Sequence, residues 1–170
     1  NQGLNYYVSA STSQSFSINP LTTGIENYDT IVGNTLGYFN GGSGQYSLED
    51  TPNTRLDITA SFSYTAGSGI GISQGVTSSI SKLVNGNLIP LQTIKSTAPG
   101  TIEITRRYFG TNNDKILLTT KSDTSAIGGP MFKSGSIMVT QSRDISSSLC
   151  YPVIFEPYIT TPNYSNSDFN

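Results

Sequence analysis

The sequence predicts an all-β protein, an antiparallel sandwich or jelly roll, and three observations carry that expectation. Thr54 to Tyr64, TRLDITASFSY, alternates without a break, with Leu56, Ile58, Ala60, Phe62 and Tyr64 on one side and Arg55, Asp57, Thr59, Ser61 and Ser63 on the other. Successive strand side chains face opposite ways, so this segment has one face in a core and one in water. Asn85-Gly86 then separates two apolar pairs. Both residues tolerate the positive φ of a type I′ turn, which makes the pair a strong hairpin signal. Lastly, short apolar segments recur along the chain between Gly- and Asn-rich turns, and no helical period appears.

In order, the expected strands are Leu4–Ala10, Ser15–Ile18, Thr30–Val32, Leu36–Phe39, Gln45–Leu48 and Thr54–Tyr64, then Ile70–Ser73, Val76–Val84 and Leu88–Lys95. Thr101–Phe109, Lys115–Thr120 and Gly135–Gln141 complete the set. Turn clusters punctuate them at Asn40–Gly44, Ala66–Gly69, Pro99-Gly100, Gly110–Asp114 and Gly128–Pro130. Many short strands with regular punctuation fit a sandwich or jelly roll. Beyond Gln141 the character changes. A polar stretch leads into the apolar Leu149–Ile159, where Pro152 and Pro157 forbid a central-strand ladder. The chain therefore divides into a β domain over 1–141 and an extended strap and tail over 142–170, the strap lying on the body or on a neighbour.

Composition narrows the function. The 170 residues suffice for one domain with a sizeable core. They begin at Asn1 without a methionine, as a trimmed or processed product would. There are 9 basic and 11 acidic residues, and only Arg106-Arg107 are adjacent cations. Phosphate neutralisation needs clustered cations, so nucleic acid is not an expected partner. No apolar run approaches a bilayer span, so membrane insertion is not expected. The single Cys150 forms no intrachain disulfide and reads as a small buried hydrophobe, with a free thiol as the alternative.

Histidine is absent, which removes His-dependent hydrolases, His-ligated zinc and His general bases. A carboxylate pair could still serve glycoside hydrolysis, from among Glu49, Asp50, Asp57, Glu103 and Asp114. None lies in a signature, and solvated carboxylates are the better account. Gly67-Ser-Gly-Ile-Gly71 lacks a phosphate loop's lysine and following helix, so it reads as a tight turn. Neither an enzymatic activity, a metal nor a cofactor is expected. Ten Tyr and no Trp supply aromatic area with hydroxyl handles, suited to a core or an interface. Tyr6-Tyr7 and Tyr108-Phe109 each place one ring outward if they lie on strands. Asn163-Tyr-Ser165 is a lone glycosylation sequon.

The order of these signals resembles a known superfamily. Tyr28-Asp-Thr-Ile-Val-Gly-Asn34 leads to Gly37-Tyr-Phe39, Gly44-Gln-Tyr-Ser-Leu48 and the alternating Leu56–Tyr64. Ile80-Ser-Lys-Leu-Val-Asn-Gly86, Asn113-Asp-Lys-Ile-Leu-Leu118 and Gly135-Ser-Ile-Met-Val139 follow. Across residues 28 to 140 the chain is similar to the tumour-necrosis-factor and complement globular-head jelly rolls, a superfamily that includes viral and phage fibre heads. The resemblance implies a ten-stranded antiparallel β-sandwich with jelly-roll topology, assembled as a homotrimer, that binds and does not catalyse.

The expected function is therefore a virion-surface, extracellular attachment head that engages a host receptor or glycan. A capsid shell or protrusion protein and a secreted or cell-surface complement-type domain are the alternatives. The candidate receptor contacts are Asn40, Gly41 and Ser43, Ser68, and Asn112, Asn113 and Asp114, on three exposed turn loops.

Overall fold

The computed structural model describes residues 5–33, 38–48, 54–110 and 114–143. Two six-stranded antiparallel sheets pack face to face, and no α-helix occurs among the described residues. The strands are β1 (Asn5–Thr12), β2 (Phe16–Ser17), β3 (Thr23–Gly24), β4 (Thr30–Gly33), β5 (Phe39–Asn40) and β6 (Gln45–Ser47). They continue as β7 (Thr54–Thr65), β8 (Val76–Val84), β9 (Asn87–Ser96), β10 (Gly100–Gly110), β11 (Lys115–Ser122) and β12 (Met131–Arg143).

The first sheet runs β10-β7-β12-β1-β4, with β2 beside the start of β12. The second runs β5-β6-β11-β8-β9, with β3 on β11. The connections β6–β7, β7–β8, β9–β10 and β11–β12 each cross from one sheet to the other. This is the expected jelly-roll sandwich. Twelve strands occur among the described residues against the ten implied by the resemblance, and three of them, β2, β3 and β5, are only two residues long.

Sequence alternation sets the layers. On β7, Leu56, Ile58, Ala60, Phe62 and Tyr64 all enter the core, none more than 2 % exposed. Val8 and Ala10 of β1, Ile102 and Ile104 of β10, and Ile137 and Val139 of β12 join them. The second sheet answers with Tyr46, Val76, Ile80, Ile116 and Leu118. The β8–β9 hairpin closes through Asn85 (φ 50°) and Gly86 (φ 81°), the backbone that a type I′ turn requires.

A bulge in β12 builds the upper core. Phe132 pairs with Tyr64 and Ser134 with Ser63, so Lys133 is the extra residue and points to solvent. The Phe132 ring stacks on Phe16 at 4.7 Å and on Phe62 at 6.1 Å. Gly135 leaves it room, because a Cβ there would come within 2.8 Å of the ring.

Two strand expectations need correction. Ile70–Ser73 is a loop, and Ile70 is 98 % exposed. Its apolar pair has no sheet neighbour among the described residues to bury against. Thr23–Gly24 is a strand that propensity does not announce, held by pairing with Thr120 and Thr119. The strap over 149–159, Cys150 and the sequon lie outside the described residues.

Candidate functional site

The registers define two ends of the sandwich. Tyr64, Gly100 and Met131 mark the upper end; Thr54, Gly110 and Arg143 mark the lower, where β12 leads toward the C-terminal segment. A twelve-residue strand such as β7 spans about 40 Å, so the two ends are remote.

At the upper end three loops are tied into one platform. Residues 66–75 join β7 to β8, residues 123–130 join β11 to β12, and residues 18–22 follow β2. The Gly69 amide donates to the Gly128 carbonyl at 3.0 Å. Gln74 links the same loops, donating to the Gly128 carbonyl at 3.1 Å while accepting from the Gly67 amide at 2.9 Å. Gly67 has to be glycine: a Cβ there would lie 1.9 Å from the Gly129 carbonyl oxygen. The third loop joins through Ile18 amide to Pro130 carbonyl at 3.1 Å and Ser122 amide to Asn19 carbonyl at 2.7 Å. Each loop carries one large aliphatic into solvent, namely Leu21 at 73 %, Ile70 at 98 % and Ile127 at 95 % exposure. Between the 18–22 and 123–130 loops lies a pocket of about 330 Å³, whose lining includes Ile18, Pro20, Ala126 and Pro130.

The described residues of the three loops expected from sequence do not meet. Asn40, Gly41 and Ser43 form a turn at the edge of the second sheet. The Asn40 side chain accepts from the Ser43 amide at 3.1 Å, and the Gly41 carbonyl accepts from the Tyr28 amide at 2.9 Å. Ser68 belongs to the upper platform. Asp114 lies at the lower end, where its carboxylate accepts from the Tyr108 hydroxyl at 2.7 Å. Asn112 and Asn113 lie outside the described residues.

Lys82 donates to the same Tyr108 hydroxyl at 3.3 Å, so Lys82, Tyr108 and Asp114 form a chain that joins the sheets at the lower end. Burial raises the Tyr108 pKa, the hydrogen bond to Asp114 adds to the rise, and Lys82 opposes it. Asp57 is held on the sheet surface by Arg107 at 2.9 Å and Arg55 at 3.3 Å. The Arg55 contact has ion-pair distance but no aligned N–H, since that Nε lacks a hydrogen-bond partner among the described residues. Glu103 lies exposed on β10, and Glu49 and Asp50 lie outside the described residues. No group of His, Cys, Asp or Glu with metal-holding geometry occurs among the described residues.

The outer face of the first sheet is a carpet of hydroxyls. Ser61 and Ser136 pair at 3.0 Å and Ser63 and Thr101 at 2.8 Å, as cross-strand hydroxyls do. Into this carpet are set Tyr7, Val32, Met138 and Phe109, between 43 % and 66 % exposed. Val32 and Met138 flank Ser9 on its two sides. Tyr7 and Phe109 are the outward members of the two aromatic pairs, as alternation requires. Sequence reasoning missed Leu21, Ile70 and Ile127. The available signal was a lone aliphatic inside a Gly/Ser turn, with no period-2 partner to bury it.

These features make the described residues a two-sheet jelly roll with a hydroxyl-rich outer face and apolar loop tips. No protein-family model matches the chain, and no curated protein matches it in sequence. Solved structures do match in fold. The globular domain of the zebrafish complement 1qA protein superposes with TM-score 0.53 at 6 % identity, covering 79 % of this chain and 94 % of its own. Murine APRIL gives TM-score 0.51 at 10 % identity, covering 82 % and 99 %. Eiger TNF from S. frugiperda gives 0.51 at 10 % identity, covering 85 % and 95 %. The fold is thus that of the tumour-necrosis-factor and complement globular-head jelly roll, as the sequence resemblance implies.

Proposed function

We propose that this domain is the non-enzymatic head of a virion-surface fibre or spike, working outside the cell as a homotrimer that attaches to a host receptor or glycan. The observation that carries the reading is where the exposed apolar area lies. Of the eight exposed large hydrophobics among the described residues, Tyr7, Val32, Met138 and Phe109 share the outer face of the first sheet. A sheet face of that kind is suited to burial against another copy, and closed symmetry hides it without open ends. The turn loops then stay free for a partner, with Asn40, Gly41, Ser43, Ser68, Asn112, Asn113 and Asp114 as proposed contacts. The fold likeness to complement and TNF-type globular domains supports a binding role over a catalytic one.

The test is competition. Purified domain is expected to block attachment of the parent particle to its host cells. Saturating domain that leaves attachment untouched, with no detectable cell binding, would replace this reading with a purely structural coat role. Light scattering tests the assembly, and a monomeric mass at micromolar concentration would remove the trimer.

A further inference from the structure

We infer that the upper platform of loops 18–22, 66–75 and 123–130 is a docking site for a protein partner that inserts an uncharged aliphatic or aromatic side chain. The inference rests on the reading of the domain as a binding head and names the surface that would do the binding. Leu21, Ile70 and Ile127 are held in water by loops that are hydrogen-bonded to one another and packed glycine against carbonyl, so their exposure is built into the backbone. An ordered apolar prong loses little conformational entropy on binding, which is the energetic use of preorganisation. The pocket beside Ile127 is large enough for one inserted side chain.

Charge decides the chemistry of the occupant. Asp123, which begins the 123–130 loop, is the one charged residue in 18–22, 66–75 and 123–130, and the pocket lining contains none, so the surface that fits the pocket is uncharged. The platform also lacks aromatic side chains, on which sugars would stack. It lacks the Trp, Phe and Lys/Arg that anchor a protein at a lipid surface. Three aliphatic prongs on linked loops, Ile127 among them at the pocket wall, match the apolar centre of a protein interface, where a few buried residues dominate affinity.

The experiment uses the whole chain with isoleucine methyl labels. N-acetyl-leucine methylamide is expected to shift the methyls of Ile18, Ile70 and Ile127, while N-acetyl-lysine methylamide leaves them in place. In the attachment assay the double variant Ile70→Ser/Ile127→Ser, with wild-type melting temperature, is expected to compete about tenfold less well than wild type. If the wild-type domain blocks attachment and the variant blocks it equally, this inference fails while the attachment function stands. If the wild-type domain blocks nothing but the leucine probe still binds at the platform, the function fails and the docking site stands. Binding to phosphatidylcholine vesicles that is lost in the variant would overturn the protein partner in favour of a membrane. Self-association lost in the variant would overturn it in favour of a second copy.

Discussion

The Tyr46 hydroxyl, on β6 of the second sheet, donates to the side-chain carbonyl of Gln141, on β12 of the first, in the middle of the lower core. Tyr46 is fully buried and Gln141 is 2 % exposed, so this bond satisfies two polar groups that water does not reach. It also ties the sheets together where β12 nears its end. Tyr46→Phe is expected to cost about 2 kcal/mol, because the Gln141 acceptor then stays buried and unpaired. Chemical denaturation checks this, and an unchanged midpoint would show that the two groups relax to other partners.

Tyr28 is the opposite case. It is 6 % exposed and packs edge-on against Phe39 at 5.5 Å, yet its hydroxyl has no hydrogen-bond partner among the described residues. Removing an unsatisfied buried hydroxyl relieves a desolvation cost, so Tyr28→Phe is expected to be neutral or stabilising by about 1 kcal/mol. A loss of stability in thermal melts would reveal a partner for that hydroxyl.

Burial raises the pKa of Tyr28, and burial together with Asp114 raises that of Tyr108. An unfolded tyrosine titrates near 10, so the native state holds these protons where the unfolded state releases them. The stability they contribute is complete below about pH 10 and declines as pH rises above it. Unfolding midpoints between pH 8 and 11 are expected to fall only in the upper part of that range, and Tyr28→Phe is expected to flatten the fall. A midpoint that rises with pH there would reverse the sign.

Two glycines separate backbone strain from packing. Gly86 has φ 81° and nothing within 4 Å of a Cβ, so Gly86→Ala meets only left-handed strain and is expected to cost about 1 kcal/mol. A Cβ at Gly67 would meet carbonyl oxygens of both Gly128 and Gly129. Gly67→Ala is expected to cost about 2–3 kcal/mol and to shift the Ile70 and Ile127 methyl signals. Equal costs at the two sites would argue that the upper loops are not packed together.

An aspartate in place of Ile58 or Phe62 puts a charge into the centre of the core, where each side chain is 1 % exposed. An unpaired buried charge costs several kcal/mol, so aggregation or unfolding is expected by circular dichroism and light scattering. A soluble, cooperatively melting Ile58→Asp protein would contradict the assigned β7 orientation.

The sequence by itself determined the strands whose pattern is local. The period-2 run of β7, the Asn85-Gly86 hairpin and the outward members of Tyr6-Tyr7 and Tyr108-Phe109 follow from backbone geometry that each residue imposes on its neighbours. The tertiary structure decided what depends on distant partners. Thr23–Gly24 is a strand only because β11 offers it Thr119 and Thr120, and Ile70–Ser73 is not one because no strand among the described residues pairs with it. The placement of the candidate site was decided in the same way. Ala66–Gly69, Asn40–Gly44 and Gly110–Asp114 look alike as Gly- and Asn-rich turns, yet strand direction sends the first to the upper end, the second to a sheet edge, and Gly110 and Asp114 to the lower end. Leu21, Ile70 and Ile127 are separated by 49 and 57 residues in the chain. They share one platform because glycine backbones let three loops approach within hydrogen-bonding distance, and local pattern carries no record of that.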